Sequence, residues 1–234
     1  MRRESGWSGF WCGLFIAVGL VVFGYFISTT AVKVKNMERT VSVKGLAERL
    51  VKADIAIYPI RFDVADNNPL KLYDKIKASK SAILKFLKDE GFSQDEIFIS
   101  PPQITDNYAS GFNQNAKFRY SAVGVITVYT NKVDKVVSLG KDLYKLTQMG
   151  IMASNEKFQT NYLFTHLNKI KPIMVEEAIK NAQKAAEQFA MQSHSKLGKI
   201  KTASQGYFSI TDRDPNTPYI KRVRVVVRVV YYLR

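Results

Sequence analysis

The chain has 234 residues and a formal net charge of +15, from 35 Lys and Arg against 20 Asp and Glu. Hydrophobic residues make up 46% and charged residues 24%, a globular balance that excludes a disordered or collagen-like chain. One cysteine and two histidines exclude an intramolecular disulfide and a Cys/His zinc cluster.

After Arg2, Arg3 and Glu4 no charge appears until Lys33, and residues 10–27 read FWCGLFIAVGLVVFGYFI. A helix needs about 20 apolar residues to cross the hydrocarbon core, and this run with its flanks is long enough. Trp7 and Trp11 near one end and Tyr25 near the other fit aromatic belts at two interfaces. The stretch therefore predicts an uncleaved signal-anchor over residues 1–32, joined by a linker at 33–38 to one domain at 39–234. The alternative is a cleaved signal peptide with its site near Thr29-Thr30-Ala31, leaving a soluble periplasmic domain. With Arg2 and Arg3 on a short inner tail, the anchor makes a single pass through the inner membrane and the C-terminal domain is periplasmic. Cys12 reads as a membrane-buried thiol. Residues 1–31 carry only +1 of the +15, so +14 falls on the rest, which favours anionic partners such as lipid head groups or a cell-wall polymer.

Val41 and Val43 alternate with polar residues in a short strand that ends at Gly45. A second strand begins at Arg49 with Val51, Ala53, Ile55 and Ile57 on one face. Its phase flips at Tyr58-Pro59, which predicts an edge strand or a bulge. Asn68-Pro69 starts a helix with Leu70, Tyr73, Ile76, Ile83, Leu84 and Leu87 inward, and Gly91 ends it. Ile97, Ile99 and Ile104 mark a strand interrupted by Pro101-Pro102. A polar loop follows, in which Tyr108, Phe112, Asn113, Gln114 and Asn115 form either a binding tip or a bland loop, and then a returning strand at residues 118–130.

Asn131 is expected to cap a second helix with Val133, Val136, Val137, Leu143 and Tyr144 inward, stopping at Gly150. A strand is expected at residues 158–165. The third helix opens at Pro172 and presents Val175, Ala178, Ile179, Ala182, Ala185, Ala186, Phe189 and Ala190, ending at Gly198. So many alanines imply close approach to a neighbouring element. A hairpin closes the chain, residues 199–210 and 220–233. In its last strand Val223, Val225, Val227, Val229, Tyr231 and Leu233 point one way. Arg222, Arg224, Arg228 and Arg234 point the other, with Val226, Val230 and Tyr232. The order β-β-α-β-β-α-β-α-β-β, with three helices after the anchor, predicts an α+β fold of antiparallel sheets, with a helix-hairpin repeat that suggests a worn internal duplication.

No nucleotide-binding glycine motif, nucleophile elbow or zinc-protease motif is present. His166 and His194 have no partner predicted in reach, and a base needs one. Glu176-Glu177 opens a helix, where acids complement the dipole, and Asp212 and Asp214 sit in a turn, where aspartate bonds its own backbone. The Lys-rich run at residues 71–88 is the solvated face of an amphipathic helix, with contact to a membrane surface as the second reading. No catalytic residue, cofactor or metal ligand is assigned, and the aromatics fall at core positions, so nucleic acid is not an expected partner.

Three stretches carry a resemblance to the SIMPL-domain family: VSVKGLAERLVKADIA from Val41, DEIFISPPQITDNY from Asp95, and EEAIKNAQKAAEQFAMQSHSKLGKI from Glu176. Lys52-Ala53-Asp54 stands where the family has Pro-Asp, and Glu177-Ala178 where it often has Asp-Ala. The resemblance implies an exported or membrane-anchored envelope domain without an established catalytic constellation. Its bacterial relatives are associated with oxidative-stress tolerance and surface antigenicity, and at least one forms a hollow multi-subunit ring; a eukaryotic relative is a signalling adaptor. The resulting expectation is a non-enzymatic, membrane-anchored homo-oligomer of the envelope, linked to stress tolerance. Its candidate interface is Arg222, Arg224, Val226, Arg228, Val230 and Tyr232 on the final strand, where arginine and tyrosine suit an interface. The alternative is a binding module for an anionic lipid head group or cell-wall polymer.

Overall fold

The structure is a computed structural model that describes residues 6–37, 39–109, 116–155 and 160–234; within the first helix, side chains are described at residues 11 and 13–30. In chain order the elements are α1 (Gly6–Met37), β1 (Thr40–Lys52), β2 (Ile55–Asp66), α2 (Pro69–Asp89), β3 (Ile97–Ile99), β4 (Gln103–Asp106), β5 (Tyr120–Thr130), α3 (Val133–Asp142), α4 (Tyr144–Gln148), β6 (Ala153–Ser154), β7 (Asn161–Leu163), α5 (Leu167–Gln192), β8 (Leu197–Gln205), β9 (Ser209–Asp212) and β10 (Ile220–Leu233). The class is α+β with antiparallel pairing, as expected, with α1 followed by four helices where three were expected. The extra helix arises because the expected second helix breaks at Leu143 into α3 and α4. Its first turn is preceded by Lys132 at the cap position, and Thr130 Oγ1 accepts the Lys132 N–H, so Asn131 is not the cap. Two units make up the chain. One comprises Met1–Glu48, Pro172–Phe208 and Arg224–Arg234, the other Arg49–Lys171 and Ser209–Val223.

In the first unit, β10 lies between β1 and β8. Helix α5 buries Met174, Ala178, Ala182, Ala186 and Ala190, a stripe at four-residue spacing. Ile179 and Phe189, expected inward, are 38% and 61% exposed, because a stripe this narrow leaves them on the flanks. Small side chains let the helix close on β1. A Cβ added at Gly45 would lie 1.9 Å from the Ala178 carbonyl oxygen and 2.6 Å from the Ala182 nitrogen. Gly45 is therefore a close-approach residue inside one strand, and the strand does not end there. Asn181 adds a bond from Nδ2 to the Leu46 carbonyl, 2.8 Å. At the other end α5 stops at Gln192, with His194 in the left-handed region (φ 50°) and the Ser195 N–H on the Ala190 carbonyl. Gly198 instead belongs to β8, where a Cβ would meet the Tyr232 carbonyl oxygen at 2.9 Å.

In the second unit the sheet order is β3-β5-β2-β6, with β4 also on β5 and β7 also on β2. From Ala56 to Asp66, β2 pairs with β5 without a register shift, so β2 is internal and Pro59 makes no bulge. Pro59 is tolerated because β7 pairs residues 55–57 and β6 residues 61–62, leaving a gap in the ladder at the proline. Ala56, Tyr58, Ile60 and Phe62 share the buried face, with Ile126 and Val128 of β5. Helix α2 packs there through Ile83, Phe86 and Leu87, and α3 through Val133, Val136 and Leu139. Asn68 caps α2, accepting the N–H groups of Leu70 and Lys71, with Pro69 at the first position. Leu70 and Tyr73, expected inward, are 76% and 64% exposed, because the buried stripe runs through Leu72, Ile76, Ser79, Ile83 and Phe86.

Candidate functional site

The final strand alternates as expected. Val223, Val225, Val227, Val229 and Tyr231 are buried, Arg222, Arg224 and Arg228 are exposed, and Val226, Val230 and Tyr232 are half-buried. Neighbours on both sides occupy its hydrogen-bonding edges, with β8 registered from Val227–Gln205 to Leu233–Leu197. A partner can therefore meet this strand only face-on. Lys201 Nζ lies 5.6 Å from the Tyr232 ring centroid and covers part of it.

A second sheet face, not expected from the sequence, is apolar as well. On β2 the residues between the core positions are Ile55, Ile57, Pro59 and Arg61, all half-buried, and on β5 they are Val123, Val125, Thr127 and Tyr129. Register places Ile57 opposite Tyr129, Pro59 opposite Thr127, and Thr127 opposite Phe98. Phe98 is 57% and Tyr129 45% exposed. Ile55, Ile57, Pro59, Phe98 and Tyr129 thus form an apolar patch on this face, bounded by the Arg61–Asp63 pair opposite Val125 and Val123, while α2 and α3 pack on the other face. A signal for it exists: β2 and β5 carry apolar residues on both parities, which marks a sheet covered on both sides.

His166 does have a partner. Its Nδ1 lies against Asp54 Oδ2, and the same carboxylate accepts the backbone N–H groups of Thr165 (2.9 Å) and His166 (3.1 Å). Burial pushes the Asp54 carboxyl up, but the bonds from Thr165 and His166 outweigh it and hold the group below its ordinary value. These bonds anchor the turn at Thr165 and His166 that leads into α5. Glu96 is a second polar centre: Lys132 Nζ (2.7 Å), the Thr130 hydroxyl and the Ser93 N–H and hydroxyl converge on its carboxylate. Burial opposes ionisation there too, yet these donors bring the group down to about 2.

The remaining candidates take local roles. Asp214 accepts the N–H groups of Asn216 and Thr217, as a turn aspartate does, and Asp212 pairs with the buried Lys221. Glu176 pairs with Lys180 one turn on. Tyr108 is half-exposed with its hydroxyl donating to the Ala116 carbonyl at 3.3 Å; Phe112, Asn113, Gln114 and Asn115 lie outside the described residues, as does the Cys12 side chain. Among the described residues, no group of three or more His, Cys, Asp or Glu is placed to hold a metal ion.

Helix α1 contains an 18-residue window, Gly13–Thr30, of mean hydropathy 1.9 with none of it buried, which is long and apolar enough to cross a membrane. A membrane anchor and a signal sequence both have this form. Comparison with known families matches residues 41–231 to the model described as "SIMPL: Protein of unknown function (DUF541)". Among curated proteins none matches.

Proposed function

The chain belongs to the SIMPL family, and from that premise we propose that it is a non-enzymatic, membrane-anchored envelope protein that works as a homo-oligomer linked to stress tolerance. The observation that carries this reading is the apolar patch on the second sheet face, with Phe98 and Tyr129 exposed and Ile57 and Pro59 beside them in register. Contiguous exposed apolar surface marks an interaction site more often than scattered single residues do. The mixed Arg/Val face of β10 is the second candidate surface. In this reading α1 holds the chain in the inner membrane with the domain in the periplasm, and confinement to a plane raises the effective concentration of like subunits.

Light scattering on the detergent-extracted full chain tests it. A protein mass that is a multiple of 26.5 kDa supports assembly, and 26.5 kDa overturns it. Phe98→Glu with Tyr129→Glu is expected to reduce the mass to the monomer. If Arg224→Glu with Arg228→Glu does so instead, the final strand is the interface.

One observation favours an anionic surface as a further partner: Lys71, Lys77, Lys85 and Lys88 are exposed on α2 beside exposed Leu70 and Tyr73. Binding to anionic vesicles that disappears between low and physiological salt supports this role, since exposed charges are screened over about 8 Å at 0.15 M.

A further inference from the structure

The second unit contains a cleft of about 430 Å³ that no sequence motif announces. Tyr58 of β2, Val136, Val137, Gly140 and Lys141 of α3, and Tyr162 of β7 line it, joined by Leu143 and by Pro215, Pro218 and Tyr219 of the loop into β10. Tyr58 and Tyr162 are 4% and 8% exposed, yet among the described residues neither phenol hydroxyl has a hydrogen-bond partner. Both rings are buried while their hydroxyls are not sealed in the core, because every fully buried side-chain polar atom is satisfied. Buried tyrosines usually find a partner for the hydroxyl, so two whose hydroxyls open onto a cleft offer their O–H groups to a ligand.

The composition of the wall says what that is. Among the described lining residues Lys141 is the one charged group, with no ion pair and no Asp or Glu beside it, and Asn216 adds a side-chain amide. Asn155 is spent on the Pro59 carbonyl (2.7 Å) and on the Thr160 hydroxyl (2.9 Å). Burial pushes Tyr58 up to about 12 and raises Tyr162, so both stay protonated and donate. The cleft thus offers O–H and N–H donors and one cation over a floor of Val136, Val137 and Leu143. A neutral sugar brings its own donors and pairs best with acceptor carboxylates, of which the described lining residues include none; an amine would meet Lys141. A ligand that brings only acceptors and an apolar body fits. Gly140 adds to this: in the last turn of α3, a Cβ there would find only the Tyr58 hydroxyl within 4 Å, at 3.7 Å, so the glycine leaves open space beside that hydroxyl.

We propose that this cleft binds a small organic carboxylate, its apolar or aromatic body on Val136, Val137 and Leu143 and its carboxylate on Lys141 and the hydroxyls of Tyr58 and Tyr162. This site is independent of the assembly surfaces.

The test is tyrosine-ring NMR on the full chain in lipid nanodiscs, titrated with phenylacetate and, as controls, phenylacetamide, phenethylamine and N-acetylglucosamine. Phenylacetate is expected to shift the ring signals of Tyr58, Tyr162 and Tyr219 saturably and to bind at least about tenfold more tightly than the amide, the ratio of a charge-assisted to a neutral hydrogen bond. Lys141→Met, at an exposed position that the fold does not need, is expected to abolish that ratio. Tyr58→Phe should weaken phenylacetate about fivefold, the loss of one donor, and Gly140→Leu should block all binding. No saturable shift with phenylacetate overturns the proposal, as does equal or tighter binding of any control, or an unchanged carboxylate-to-amide ratio in Lys141→Met.

Discussion

At Glu96 four donors from Ser93, Thr130 and Lys132 hold one carboxylate, so its protonation is tied to folding. The folded group titrates near 2 and the unfolded one near 4.5. Between those values the unfolded chain binds the proton and the folded chain does not, so acidification favours unfolding. The stabilisation is complete above pH 4.5 and is lost as pH falls toward 2. Glu96→Gln is therefore expected to cost about 2 kcal/mol at neutral pH and to flatten the acid limb of the unfolding profile, measured by chemical denaturation across that window. Two glycines make an opposite pair. Gly45→Ala drives a Cβ against the backbone of Ala178 and Ala182 and should destabilise by about 3 kcal/mol or more. Gly140→Ala meets only the Tyr58 hydroxyl at 3.7 Å and should stabilise α3 by about 0.5–1 kcal/mol. Melting temperatures of the two variants moving in the same direction would contradict one of the two assignments, Gly140 if both fall and Gly45 if both rise.

Among the elements, α5 shows what a sequence can and cannot carry. Its alanine stripe is legible because the period is local. Its start is expected at Pro172 and lies at Leu167, and the carboxylate that anchors the preceding turn is Asp54, 111 residues from Thr165 in the chain. The same distance conceals the partner of His166. Asn68-Pro69 and the alternation of β10 are legible since each signal lies within a few residues. Gly45 misleads because a glycine at a turn and a glycine under a helix look alike in sequence. The cleft is out of reach for a related reason: Tyr58, Tyr162 and Tyr219 come from three separated segments, and each alone looks like core. Asp54→Ala is expected to cost about 1–2 kcal/mol through the lost bonds to the Thr165 and His166 N–H groups. Because the folded Asp54 lies below its ordinary 3.8, its contribution is present above that pH and fades as pH falls below it. Amide exchange should rise first in residues 165–171; uniform change across the chain would show that the carboxylate does not anchor this turn.

For the whole molecule, the decisive segment is α1. It has 32 residues, about 48 Å at 1.5 Å per residue, and its most apolar 18 residues cover about 27 Å, close to the hydrocarbon thickness of a bilayer. Phe15, Val21 and Tyr25 are each about 70% exposed (72%, 73% and 68%), so among the described residues nothing covers this surface. In water such a helix would leave a large apolar area bare; in lipid its backbone is already satisfied internally and its side chains match the solvent. No acidic residue lies in its first turn, and its apolar residues are spread around the helix rather than gathered in one stripe, as suits a segment surrounded by lipid on all sides. The expected outcome is that the full 26.5 kDa chain stays in membranes after an alkaline carbonate wash. Arginine at the centre of such a helix costs about 3 kcal/mol per residue on insertion scales, so Leu20→Arg with Val21→Arg should move the protein to the soluble fraction. Intact-mass measurement decides between anchor and leader: a mature chain beginning at Val32 would make α1 a removed signal sequence, and assembly would then have to arise without confinement to a membrane.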